Sequence, residues 1–178
     1  MESPSRKGWY YGWYIAATSV AIYFFTNGMT LMVPQNLFPR FIETFDTTAG
    51  AVSVTTALSL GLAALLAPFI GTIVDRAGVV RLIRTGLVVM TVCFGLYPFA
   101  RSLTDLYVLH ALLALGLVLS GLLVNVVLLS NWFNAKRGIA IGALAAASSA
   151  AGALMPVAIA PLVNSPEFGW RWGVGALA

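Results

Sequence analysis

Charge is what this sequence has least of. Asp, Glu, Lys and Arg make up 9% of its 178 residues, against about 25% in a soluble domain. A chain so poor in charge cannot cover itself with polar groups, so hydrocarbon must surround much of it. Cysteine is nearly absent too. Cys93 stands alone in an apolar run, which excludes a disulfide framework and a thiolate metal site and leaves packing as its expected role. There is one histidine, His110, and no pair of acidic residues lies inside an apolar stretch. With no metal-ligating cluster and no acid/base constellation, no catalytic residue, metal or cofactor is expected, and an enzyme is not the expected reading. No basic run interleaved with exposed aromatics marks a nucleic-acid surface.

Long apolar runs are there instead. Hydrophobic residues make up 60% of the chain, and the mean hydropathy is +0.90. Five stretches stand out, at about 13–37, 51–74, 82–99, 106–130 and 139–163. Each can cross a hydrocarbon core of about 30 Å at about 1.5 Å per residue. They are expected to be helices, because lipid satisfies no free backbone amide or carbonyl. The fold class is therefore an all-α membrane protein. Arg6 and Lys7 precede the first stretch as they would in a signal peptide. That stretch far exceeds an h-region of about 7–15 residues, so it reads as a retained first helix behind an N-terminal segment, 1–12.

The basic residues orient the chain. On one side fall Arg6, Lys7, Arg76, Arg81, Arg84, Lys136 and Arg137, and on the other Arg40, Arg101 and Arg171. The richer side is cytosolic by the positive-inside rule, which predicts a multi-pass protein of the inner or plasma membrane with its N-terminus in the cytoplasm. Trp9, Tyr10, Tyr11, Trp13, Trp132, Trp170 and Trp172 sit near the ends of stretches, as interfacial belts do. After GWRW the chain turns apolar again and stops at Ala178, too soon to span. It is therefore expected to be a piece of a longer protein, the alternative being a five-helix product.

The most specific string is GTIVDRAGVVRLIR, between the second and third stretches. Gly71 and Asp75 lie one helical turn apart. Gly71 would let another helix approach, and Asp75 could meet a helix N-terminus or an arginine. Gly78 permits a tight reversal, and Arg76 and Arg81 could pair with carboxylates. Two readings stand: a latch between two conformations, or a turn carrying positive-inside charge.

This string resembles the cytoplasmic loop signature of the major facilitator superfamily, G-x-x-x-D-R-x-G-x-R-R. Gly71, Asp75, Arg76, Gly78 and Arg81 match, with Val80 where a basic residue is usual. NWFNAKRGIAIG resembles a second pattern, found in monocarboxylate porters and oxalate/formate antiporters. Trp132, Phe133, Lys136, Arg137, Gly138, Ala140 and Gly142 match it. FGWRW, and the GW of YYGWY, are similar to strings of the same group. The resemblance covers nearly the whole chain. It implies the N-terminal six-helix bundle of such a transporter over 13–178, with five complete helices and the start of a sixth near 172. It further implies a C-terminal six-helix half as partner.

Small residues recur four apart in the fifth helix (Gly138, Gly142, Ala146, Ala150) and the second (Ser53, Ala57, Gly61; Ala63, Ala67, Gly71). Such stripes let transmembrane helices pack closely. The resemblance places them at the seam with the other half, whereas ordinary bundle packing would use them equally well. Pro34, Pro156 and Pro161 are expected to bend their helices.

Ser19, Tyr23, Asn27, Thr30 and Pro34 share one face of the first helix, with Thr26 at its edge. Polar groups in a span normally face the bundle or a water cavity. On the fourth helix His110, Gly121 and Asn125 fall within an arc of about 60° at about 100° per residue. Because the first and fourth helices line the central cavity in the resembling fold, Tyr23, Asn27, Thr30 and Asn125 become candidate substrate contacts. Each could instead be interhelical glue. His110 could relay protons, or bond to Asp105 or a backbone carbonyl for structure alone. In monocarboxylate porters a lysine follows the first-helix proline. Gln35 stands there instead, which counts against lactate-type proton coupling.

The function expected is alternating-access transport of small organic anions, mono- or dicarboxylates, coupled to a proton or a counter-anion. Carriage of sugars, drugs or nitrate on the same fold, or a non-transporting scaffold, are the alternatives.

Overall fold

The computed structural model describes residues 11–134, 136–163, 171 and 174–175, and among them every regular element is helical. Five helices are long and apolar enough to cross a membrane: Gly12–Asn36, Ala49–Ala77, Val79–Phe99, Leu103–Trp132 and Arg137–Pro161. They are termed the first to fifth spans. Arg6, Lys7, Trp9, Tyr10, Trp170, Trp172 and most of the expected start of a sixth helix lie outside the described residues. Arg171, Val174 and Gly175 are described. Val174 is fully buried, and the Arg171 guanidinium lies 5.9 Å over the Phe45 ring.

Hydroxyl side chains enter the spans by bonding back to their own helix. Thr18, Thr26, Ser53, Thr85, Ser120 and Ser130 each donate to the carbonyl four residues earlier, so the polar group is satisfied without water.

Prolines mark the irregular turns. A proline has no N–H to give the carbonyl one turn back, and the helix absorbs the defect locally. In the first span a π segment, Gly28–Met32, precedes Pro34. In the second and third spans, 3₁₀ turns form at Ala67–Phe69 around Pro68 and at Tyr97–Phe99 around Pro98. The fifth span is helical through Pro156 and Pro161.

Two features depart from the sequence reading. The segment after the first span is a further helix, Phe38–Phe45, with Phe41 fully buried and an exposed Arg40–Glu43 pair at 3.7 Å. The fourth span is not continuous: it breaks at Gly121 into Leu103–Ser120 and Leu122–Trp132.

The core has three parts. Phe41, Phe94, Tyr97, Leu106 and Val174 pack at the Phe41 end. At the opposite end Ala16, Leu129, Phe133 and Leu144 join the first, fourth and fifth spans, and Ile70, Leu82, Ile83 and Val124 join the second, third and fourth. The tightest approach lies between the third and fourth spans. A Cβ on Gly86 would fall 2.9 Å from Ser120, and one on Gly116 2.5 Å from the Met90 Cγ.

Candidate functional site

Gly78 makes the reversal between the second and third spans. Its φ of +81° is open to glycine and strained for other residues. Asp75, Arg76 and Arg81 around it are all exposed. Among the described residues no ion pair joins them. Gly71 is exposed as well, with no atom within 4 Å of where its Cβ would be.

The second motif lies at the same end. Phe133 is buried in extended backbone, and its ring meets Trp13 edge-on at 5.1 Å. Lys136 Nζ stands 5.9 Å over the Trp13 ring. Trp132, half-exposed, packs against Tyr11 at 5.7 Å. The motif therefore ties the start of the first span to the turn between the fourth and fifth. Arg137, Gly138 and Gly142 point away from this contact and are exposed. Gly138 and Gly142 have open space where a side chain would be, as does Gly61. The fifth span instead buries Ala140, Leu144, Ala147, Ala151 and Met155. Its stripe of small residues thus faces out of the bundle, and so do Ser53, Ala57 and Gly61 of the second span.

Inside, Ser19, Tyr23, Thr26, Asn27 and Thr30 of the first span are buried, whereas Thr18, Gln35 and Asn36 are exposed. Ser19 Oγ donates to Asn125 Oδ1 at 2.6 Å. Asn125 Nδ2 donates in turn to the carbonyls of Ser120 and Gly121, at 2.7 and 2.8 Å. The fourth-span break is thereby stapled to the first span. Asn27 Nδ2 donates to Ser148 Oγ at 2.9 Å. Thr30 lies against Met90, its Oγ1 4.0 Å from the sulfur.

The proposed substrate contacts consequently separate. Tyr23 and Asn27 line a cavity of about 220 Å³ between the first, second and fourth spans, with Leu31, Ala63, Leu117, Val118, Leu122 and Leu123. Thr30 and Asn125 are not part of its lining, and Gln35 is exposed beyond Pro34. Tyr23, 7% exposed, has no hydrogen-bond partner among the described residues.

His110 and Asn125 are both buried, on opposite sides of the break at Gly121. His110 is 1% exposed. Nδ1 donates to the Leu106 carbonyl at 2.9 Å, which leaves Nε2 an acceptor 3.4 Å from the Tyr97 hydroxyl. Asp105 is not its partner. That carboxylate caps its own helix, accepting the N–H groups of Arg101 and Ser102.

The sequence reading passed over Ser148, Met90 and the lining leucines, since a residue's partner across a bundle has no signature in its own helix. The break itself had one: Ser120-Gly121 is a pair at which helices kink.

A model of the Major Facilitator Superfamily matches residues 10–178. A human protein named monocarboxylate transporter 11 is 30% identical over 174 residues, covering 94% of this chain and 35% of that protein. The mouse protein of the same name is 29% identical, covering 94% and 36%. The chain thus spans about a third of the length of the curated relatives it matches. No solved structure matches.

Proposed function

The chain belongs to the Major Facilitator Superfamily, and on that premise we propose that it is the N-terminal bundle of a secondary transporter carrying small organic anions by alternating access. The observation that carries the reading is the alignment of 94% of the chain with proteins named for monocarboxylate transport. The outward small-residue faces of the second and fifth spans support a partner of the kind the family resemblance implies, a second six-helix half seated on Gly61, Gly71, Gly138 and Gly142. The exposed Asp75, Arg76 and Arg81 then wait for groups on that half, which is how the turn acts as a latch. The proposed location is the cell membrane, with the N-terminus and the Asp75 turn in the cytosol.

The cavity at Tyr23 and Asn27 is where substrate enters this half. No Lys, Arg, Asp or Glu lines it, so the full countercharge for a carboxylate comes from the opposite half. Transport is driven by a co-transported proton or an exchanged anion. The full-length protein, reconstituted in proteoliposomes, is expected to take up labelled mono- or dicarboxylates. Uptake of sugars or nitrate with none of carboxylates overturns the substrate class, and uptake of no solute overturns transport.

A further inference from the structure

Asn27 is a cavity residue whose hydrogen bonding is only half made. It is 4% exposed, and its side-chain nitrogen donates to Ser148 Oγ at 2.9 Å. Ser148 belongs to the fifth span, which contributes no residue to the cavity lining. With the nitrogen turned to the fifth span, the planar amide turns its oxygen to the cavity that Asn27 lines. That oxygen has no hydrogen-bond partner among the described residues, yet it is not sealed from open space. An amide oxygen is an acceptor only, and one left unmade in a buried site is costly. The Tyr23 hydroxyl is also unpartnered among the described residues and unsealed, but a hydroxyl can donate or accept. The other lining residues are apolar. Asn27 Oδ1 is therefore the side-chain group of this lining that asks for a donor.

An amide free to turn about its last torsion would offer either its oxygen or its nitrogen. Among the described residues the bond to Ser148 is the one that chooses between them. Packing keeps Ser148 opposite Asn27. At the next residue, Gly28, a Cβ would fall 2.6 Å from the Met155 Cγ and 3.3 Å from the Ala151 Cβ. Two spans that close cannot slide past each other without clashing.

We propose that Ser148 is a positioning residue: it fixes the Asn27 amide with its oxygen toward the cavity, so that the site prefers a solute whose hydroxyl donates to that oxygen. The ligand class is a small hydroxy acid, in preference to the unsubstituted or the keto acid of the same length. An unsubstituted acid leaves Asn27 Oδ1 unpaired, and a keto acid sets one acceptor against another. The inference rests on the small-anion reading above and adds to it a selectivity and the residue that sets it.

The test is initial uptake by the full-length protein in proteoliposomes, with KM and maximal rate measured for 2-hydroxybutyrate, butyrate and 2-oxobutyrate. Butyrate and 2-oxobutyrate are expected to show KM values about tenfold above that of the hydroxy acid, the effect of one buried acceptor left unpaired. Ser148→Ala is expected to bring the three KM values together, since the freed amide can turn its nitrogen to the cavity. Ser148→Thr keeps a hydroxyl and is expected to retain the preference. Asn27→Ala is expected to remove the preference whichever residue stands at 148. If Ser148→Ala lowers uptake of all three acids in proportion and leaves their KM ratios unchanged, Ser148 is structural only and the positioning role is overturned. Equal KM values in the unaltered protein, or a preference for the keto acid, overturn the inference and leave the transport proposal standing. Uptake of none of the three overturns both.

Discussion

Asn125 shows what a single polar side chain does in a medium that offers no water. Its oxygen accepts from Ser19 and its nitrogen serves two carbonyls at the helix break. Ser19→Ala removes one interhelical bond and is expected to cost about 0.6 kcal/mol, the average for such contacts. Asn125→Ala strands the Ser120 carbonyl as well, while the Gly121 carbonyl keeps the backbone N–H of residue 125, and the expected loss is larger. Equilibrium unfolding in mixed micelles measures both, and equal losses would mean that Asn125 contributes nothing at the break. At the surface, Gly78→Ala forces a side chain onto a φ of +81° and is expected to lower stability by about 1–3 kcal/mol. The need for glycine there was readable from the sequence, because the strain is local to one residue. The division of Tyr23 and Asn27 from Thr30 and Asn125 was not, because all four satisfy the same pattern and differ only in what stands opposite.

Among the elements, the third and fourth spans meet at Gly86, Ser120, Met90 and Gly116 with no room to spare. Gly86→Leu is expected to drive them apart and to destabilise the bundle by about 1–3 kcal/mol or more, the cost of overpacking. Gly142→Leu is the control, since its side chain would enter open space. A thermal melt that fell equally for both would contradict the close approach. The five spans among the described residues and their extents were legible to within a few residues, because length and hydropathy are properties of each segment alone. Phe38–Phe45 falls between the first two apolar stretches and carries no run long enough to span. Its register shows only once Phe41 is seen against Phe94 and Tyr97.

For the whole molecule, the exposed small faces make a claim about assembly. Gly61→Leu and Gly142→Leu are expected to leave this bundle folded and to abolish transport by the full-length protein, as read by folded yield and by uptake together. Asp75→Asn is expected to impair uptake while membrane insertion persists, and wild-type rates in that variant would argue against the latch. A cysteine replacing Arg81 should react with a membrane-impermeant thiol reagent only from the cytosolic side, and labelling from outside intact cells would reverse the orientation. Hydrocarbon as the solvent, helices as the only elements, the glycine reversal and the family itself were all determined by the residues in order, because each depends on composition, run length or contiguous motif. The break at Gly121, the staple that holds it, the pairing of His110 with Tyr97 rather than Asp105, and the separation of cavity from glue were decided by the tertiary structure. Those depend on which side chain another helix brings within about 3 Å, and a hydrogen bond of that length has no trace in either helix read alone.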